Sequence, residues 1–354
     1  QHDEALRVAL EGVEILRDLV VTQPEAFQPN LAGSLNSLAN RLSNVGQHDA
    51  ALLAAREAMD LYRRLAAAQP DVFEPDLAMA LYNLANRLSN LGQHKIALSI
   101  IREAIGIYRK LTAIQIDIFR PNLAMALISL ANRLGNIDEH ESALQAAQEA
   151  IDHYRELAAA QPDAFRPDLA MALHNLANLF NHLNQRGAAL EVAIEAVAIQ
   201  RELATNHPDA FRPKVATSLD MLAECLSEVD LHEAALEAAL EAVAIRRELA
   251  ATRLDSFQPN LAFSLALLAN CLKAMGRDAR ALEANHEAVA ILRKPFLALP
   301  ATFADQMMAT VRQYVVLAQE LGTEPDQQLL APILAVLVRG VRPPHETDEG
   351  NSEP

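Results

Sequence analysis

The sequence predicts an all-α solenoid of repeated helix pairs, and three observations carry that prediction. Phenylalanine recurs every 46 residues, at Phe27, Phe73, Phe119, Phe165, Phe211, Phe257 and Phe303, and a proline follows two residues later in the first six cases. A fixed period of this size marks an architecture in which each unit packs only on its neighbours. Apolar residues make up 51% of the chain, yet only 4% is aromatic and Trp is absent. A core of Ala and Leu suits closely packed helices, and strand formers are sparse. Within each period apolar residues also fall at helical spacing, as Ala97, Leu98, Ile101, Ala104, Ile105, Tyr108 and Leu111 do.

Taken in order, residues 1–29 form a half repeat, a lone second helix over 1–22 with Leu6, Leu10, Val13 and Leu16 on one face. The match of Gln1–Leu6 to Gln47–Leu52 makes the start look like the interior of a repeat, as in a piece of a longer protein. Six full repeats then start near Asn30, Asp76, Asn122, Asp168, Lys214 and Asn260. Each begins with a first helix such as Pro75–Leu91, where proline suits the first turn because its missing N–H is not needed there. Gly46, Gly92 and Gly276 end that helix in a left-handed conformation, and Asp138, Asn184 and Asp230 stand in for glycine elsewhere. The second helix runs from about His94 to Thr112.

Between repeats, the connector Gln69–Pro75 carries two prolines, expected to stop the helix and force an extended link, with Phe73 plugging the seam between units. After Arg293, Pro295 and Pro300 are expected to shorten the last second helix. Residues 306–322 supply a final first helix, 323–341 a C-terminal capping helix, and 342–354 an acidic tail with no apolar periodicity, expected to be disordered.

Leu81, Leu84, Ala85 and Leu88 on the first helix, with Ala97, Ile101 and Ala104 on the second, resemble the signature of the tetratricopeptide repeat. The same series recurs from Leu35, Leu127, Leu173, Leu219 and Leu265, so the resemblance covers about residues 1–322. Leu and Ala replace the family's large aromatics, and each unit is longer than the family's usual 34 residues. In this the chain is similar to the long repeats of kinesin-light-chain-like arrays. The resemblance implies a right-handed superhelix whose first helices line a concave groove. It also implies a non-catalytic protein–protein interaction scaffold that binds a peptide or helix of a partner in that groove. The alternative is the sensor, regulatory or self-association arm of a larger signalling protein, such as a nucleotide-binding or caspase-like effector.

Composition narrows the partners. A net charge of −16 and a pI near 5.1 argue against nucleic acid, whose backbone calls for clustered Lys and Arg. No segment has the ~18 uninterrupted apolar residues of a membrane span. Cys225 and Cys271 sit one period apart, roughly 10 Å by helix packing, beyond the ~7 Å limit for a bridge. They read as free thiols in a reducing, cytoplasmic setting. His48, His94, His140 and His232 are likewise one repeat apart and cannot share a metal, and no phosphate-binding glycine loop is present. The expectation is no enzyme, no metal and no cofactor.

The candidate groove is rich in amides. Asn40, Asn86, Asn132, Asn178 and Asn270 recur once per unit, with Asn44, Asn90 and Asn136 one turn further along the same face. Asn36, Asn83 and Asn175 lie nearby, flanked by Arg41, Arg87 and Arg133. An asparagine amide donates and accepts together, so such a ladder suits a peptide backbone; it equally suits ties between neighbouring helices. The fifth full unit breaks the ladder with Asp220, Glu224 and Glu228, three carboxylates on one face that favour a basic side chain or an N-terminal amine. On the second helices, the row Arg17, Arg63, Arg109, Arg155, Arg201, Arg247 and Arg293 faces the row Glu57, Glu103, Glu149, Glu195, Glu241 and Glu287, expected to link successive repeats.

Overall fold

The computed structural model describes residues 2–252 and 254–338, which form fifteen α-helices and no strand. They divide into two compact units, Gln1–Asn184 and Gln185–Pro354. The first unit holds α1 (His2–Thr22), α2 (Pro24–Asn44), α3 (His48–Ala68), α4 (Pro70–Asn90), α5 (His94–Ile114), α6 (Ile116–Gly135), α7 (His140–Ala160) and α8 (Pro162–His182). The second holds α9 (Arg186–Asn206), α10 (Pro208–Glu228), α11 (His232–Thr252), α12 (Leu254–Ala274), α13 (Asp278–Ala298), α14 (Pro300–Glu320) and α15 (Gln327–Val338). The expected tail, 342–354, and residues 339–341 of the capping helix lie outside the described residues.

Within each unit every helix through α14 packs on the next in the chain, and the short links make neighbours antiparallel. The first helices α2, α4, α6 and α8 also touch in series, and so do α10 and α12. The all-α fold of stacked helix pairs is thus what the sequence predicts. Two 21-residue helices, a three-residue turn such as 45–47 and a one-residue link such as Gln69 make up the period.

The turn is set by backbone conformation. Gly46, Gly92, Gly276 and Gly322 have φ between 65° and 78°, and Asp138, Asn184 and Asp230 take φ of 61°, 56° and 61° at the equivalent places. Asn and Asp tolerate that region best after glycine, which is why the substitutes are these types.

The link corrects the sequence expectation. Gln69–Pro75 is not extended: the chain leaves α3 through Gln69 alone, at φ −139° and ψ 78°, and Pro70 is already the first residue of α4. Proline is favoured there, and it biases the residue before it away from helix. Pro75 then sits inside α4, its ring removing the one N–H that would reach the Asp71 carbonyl. Likewise Pro295 does not shorten α13, which keeps 21 residues, and α14 begins at Pro300.

The core is alanine and leucine. Ala32, Ala78 and Ala124 on first helices, and Ala51, Ala97 and Ala143 on second helices, are fully buried, with Leu35, Leu81 and Leu127 beside them. The recurrent phenylalanines are half-buried rather than sealed plugs; Phe257 and Phe303 pack against the edge of the second unit's core. Asp326 caps α15, its Oδ1 accepting from the N–H of Gln328 and Leu329 at 2.9 and 3.1 Å, while its own N–H donates to the Tyr314 hydroxyl at 3.0 Å. Those backbone donors, Leu329 first, hold its carboxyl below the usual range.

One core position departs from the pattern. Asn285 is wholly buried on α13 where Ala55, Ala147 and Ala239 stand on other second helices, and neither amide atom has a partner. An unpaired buried amide is destabilising, so Asn285→Ala should raise stability by about 1 kcal/mol in a urea titration. A loss instead would show that the amide is satisfied. Phe119→Ala should cost about 2 kcal/mol, roughly half the value for a sealed core phenylalanine, because the ring is only half-buried.

Candidate functional site

The first-helix face of the first unit carries the asparagine ladder, and the structure divides it in two. Part of it ties repeats together. Asn83 is buried on α4 and donates to Asn36 Oδ1 on α2 at 2.9 Å. Asn86 Oδ1 accepts from Arg133 Nη2 on α6 at 2.7 Å and from Ser129 at 3.4 Å. Arg133 is buried; its Nη1 bonds the Ser129 carbonyl and hydroxyl, both at 2.5 Å, and burial lowers its pKa. Arg87 is half-buried, with its Nε unpaired. Asn36, Asn83, Asn86 and Arg133 therefore tie helices together, and Asn86 and Arg133 also line the groove across α4, α6 and α8.

The rest of the ladder faces outward. Asn40, Arg41, Asn44, Asn90, Asn132 and Asn136 are exposed, and Asn175 and Asn178 are half-buried. Two grooves run along this face. One, across α4, α6 and α8, has Tyr82, Met125, Asn132, Met171 and Asn175 on its walls. The other, between α6 and α8, is lined by Asn132, Gly135, Asn136, Asn175, Asn178 and His182. Asn132 and Asn175 border both. Nothing in the sequence separated inward from outward amides, since both recur with the same period.

In the second unit the three carboxylates have three different surroundings. Asp220 is buried at 2% exposure and leaves the groove: its Oδ2 accepts from Arg246 Nη2 on α11 at 2.6 Å and from Ser264 Oγ on α12 at 3.0 Å. Burial pushes its carboxyl up against the pull of Arg246 and Ser264. Glu228 is exposed and pairs with Arg186 at 3.2 Å. Glu224 lies between them, half-buried, its pKa pushed up to about 7 first by burial and then by Asp220 and Glu228. It borders a pocket across α10, α12 and α14 with Phe263, Leu267, Asn270, Gln306 and Gln313.

Against known proteins, a family model for the tetratricopeptide repeat matches residues 31–70, 77–112 and 169–209. Those three stretches match the tetratricopeptide repeat. In fold the chain is similar to BtubC (BKLC) from P. vanneervenii, with a TM-score of 0.55 and 20% identity, covering 69% of this chain and 90% of that one. It is also similar to the apo form of RapI, with a TM-score of 0.56 and 14% identity over 82% of this chain and 92% of that one. A signal-transduction ATPase of the STAND class with a tetratricopeptide repeat sensor, from Pyrococcus horikoshii, gives 0.57 and 13% over 96% of this chain and 47% of that one. No curated protein matches the sequence.

On the second helices, the charge rows form rungs between repeats. Arg17–Glu57, Arg63–Glu103, Arg109–Glu149, Arg201–Glu241 and Arg247–Glu287 pair at 2.6, 2.8, 2.8, 2.5 and 2.7 Å. All are about half-exposed, so each contributes at most ~1 kcal/mol. Arg120–Glu156 and Arg212–Glu248 add ties between the two helices of a pair. Cys225 and Cys271 are buried free thiols. Among the described residues no three His, Cys, Asp or Glu side chains gather as a metal would require, and no helix is long and apolar enough to cross a membrane.

The Asp220–Arg246–Ser264 group was missed from the sequence, although a signal existed. Tyr62, Tyr108 and Tyr154 occupy one buried position of the second helix, and Arg246 replaces them in the unit where Asp220 appears. A coincident change at two buried positions of one repeat unit is the mark of a pair. Arg246→Met should cost about 3–5 kcal/mol in chemical denaturation, because it strands a buried carboxylate. Asp220→Ile with Arg246→Tyr copies Ile128 and Tyr154 of an earlier unit and should recover most of that loss. Failure to recover would show that the pair has a role beyond filling its site.

Proposed function

We propose that this chain is a non-catalytic interaction scaffold that docks a peptide or helix of a protein partner on the first-helix face. Tetratricopeptide repeats generally bind protein or peptide partners, and the family match supports that class here. The observation that carries the finer reading is the outward half of the ladder. Asn132, Asn136, Asn175 and Asn178 stand together along two grooves whose walls include the apolar side chains of Tyr82, Met125 and Met171. Amides beside apolar walls match a peptide, which presents backbone N–H and C=O groups between side chains that seek burial. Asn40, Asn44 and Asn90 extend the same row onto α2 and α4.

The buried, unbridged thiols support a reducing, cytoplasmic setting. The acidic balance supports a protein partner over nucleic acid. The alternative, a sensor or self-association arm of a larger signalling protein, draws on the likeness in fold to the Pyrococcus ATPase with its repeat sensor, 47% of whose chain is covered.

The test is selection of peptides from a random dodecapeptide library on the intact protein, followed by titration of the selected peptides. Asn132→Ala with Asn178→Ala should weaken binding at least about tenfold, the loss of one or two backbone hydrogen bonds, at an unchanged melting temperature. Undiminished binding would remove the outward ladder from the site. Asn86→Ala is the control in the other sense, since it deprives buried Arg133 of its acceptor and should lower the melting temperature.

A further inference from the structure

The pocket across α10, α12 and α14 differs in chemistry from the grooves of the first unit. Its apolar lining comes from Phe263, Ala266, Leu267 and Ala309, and Phe263 is 44% exposed. Its polar lining commits part of its protons elsewhere, one amide hydrogen of each glutamine and the Thr310 hydroxyl hydrogen. Gln306 Nε2 donates to the Pro259 carbonyl at 2.9 Å, Gln313 Nε2 to Asn270 Oδ1 at 3.1 Å, and Thr310 Oγ1 to the Gln306 carbonyl at 2.8 Å. The two glutamines thus keep carbonyl oxygens, Thr310 keeps lone pairs, and Glu224 adds a carboxylate; Asn270 retains its amide hydrogens. An apolar slot ending in acceptors fits a ligand that is a methylene chain ending in donors.

The charges around Glu224 sharpen this. On its own helix, Asp220 and Glu228 are the nearest charges. Each has a cation: Arg246 of α11 for Asp220, and Arg186 of α9 for Glu228. From α12 come the Cys271 thiol, whose pKa burial raises, and Lys273, which is committed to Glu320 of α14 at 2.6 Å. Glu224 stands where Asn40, Asn86, Asn132, Asn178 and Asn270 stand in other repeats, and among the described residues no Lys or Arg forms an ion pair with it. A carboxylate in place of an amide, half-buried beside apolar walls and left without a cation, costs stability unless something brings the missing charge.

We propose that this pocket receives a lysine side chain of the partner, its methylene stem along Phe263, Leu267 and Ala309 and its ammonium on Glu224 and the oxygens of Gln306 and Gln313. The inference rests on the reading of the first-helix face as the docking face and adds a specificity point to it. Lysine fits better than arginine because a compact ammonium can turn its donors toward whichever of these acceptors is in reach, whereas a guanidinium asks for a planar fork.

The pH dependence follows in sign. The Glu224 carboxyl titrates at about 7 in the fold against an ordinary 4.5. Its contribution to stability is therefore full below the ordinary value and lost as pH rises through about 7, where the folded protein must carry a buried charge. A bound ammonium reverses that penalty, so lysine binding should strengthen from pH 6 to pH 8.

The probe is an N-acetylated, C-amidated dodecapeptide library, so that a lysine is the only amine offered, presented to the intact protein at pH 8. Selected peptides should be enriched in lysine. They should bind Glu224→Gln, and Glu224→Asn with the residue of the other repeats, at least about tenfold more weakly. Both variants should melt no lower than wild type at pH 8, which keeps a folding defect from imitating the result. Asn132→Ala with Asn178→Ala, which tests the grooves of the first unit, should leave the lysine preference intact. Lysine preference that survives both Glu224 changes, or equal enrichment of arginine, would overturn the pocket assignment. Peptides sensitive to the asparagine changes alone would keep the docking face and remove the lysine site. A library that yields no binder at all would overturn both.

Discussion

The structure depends on how closely helices approach one another, and alanine sets that distance. Ala39, Ala85, Ala131, Ala177, Ala223 and Ala269 on the first helices, and Ala58, Ala104, Ala150, Ala196, Ala242 and Ala288 on the second, are essentially sealed from solvent. Each is a place where a larger side chain would force two helices apart, and a densely packed interior accommodates such a change poorly. Once the spacing is fixed, leucines such as Leu35, Leu81, Leu127 and Leu173 fill the remaining gaps in the same way in every repeat. Leucine and alanine take most of the places that aromatic residues hold in shorter repeats of this family, while Tyr62, Tyr108, Tyr154 and Phe180 stay buried in the core.

A core so uniform carries little information about partners, and this explains which features were readable from the sequence. The left-handed turn residues were readable because φ is a local property: Asp138, Asn184 and Asp230 had to be the types that tolerate it. The Arg–Glu rungs were readable because the spacing between charge rows repeats and the helices are stacked in register. The link between repeats was misread. Two prolines spaced five apart suggest an extended segment, but one is a helix start and the other loses only a single hydrogen bond, which a 21-residue helix held by its packing tolerates.

The sequence left the asparagines two uses, a ligand ladder or ties between helices, and the structure shows ties at some of them. Asn86 and Asn132 stand at the same position of successive repeats and both line the groove across α4, α6 and α8, yet only Asn86 is bound to Arg133. The difference comes from the neighbour. Arg133 of α6 reaches back to Asn86, whereas the equivalent position on α8 is Leu179, which offers no donor to Asn132. Position in a repeat fixes where a side chain starts; the next repeat decides what it is free to do. A periodic row of polar residues is therefore weak grounds for a binding ladder until each rung is tested against the repeat that follows it.

The same logic separates the three carboxylates of α10, which periodicity alone presents as one acidic face. Asp220 is matched by a substitution in its own unit, Arg246, and becomes part of the core. Glu228, at the helix end, meets Arg186 and stays at the surface. Glu224 replaces the ladder asparagine without any compensating change in the repeats around it; its neighbours Gln306, Thr310 and Gln313 direct their donors elsewhere. A change that breaks the repeat pattern and is answered within the chain is an internal repair. One that breaks it and goes unanswered leaves a charge for another molecule to satisfy, and in a solenoid whose remaining positions are nearly interchangeable, that is where partner specificity has room to reside.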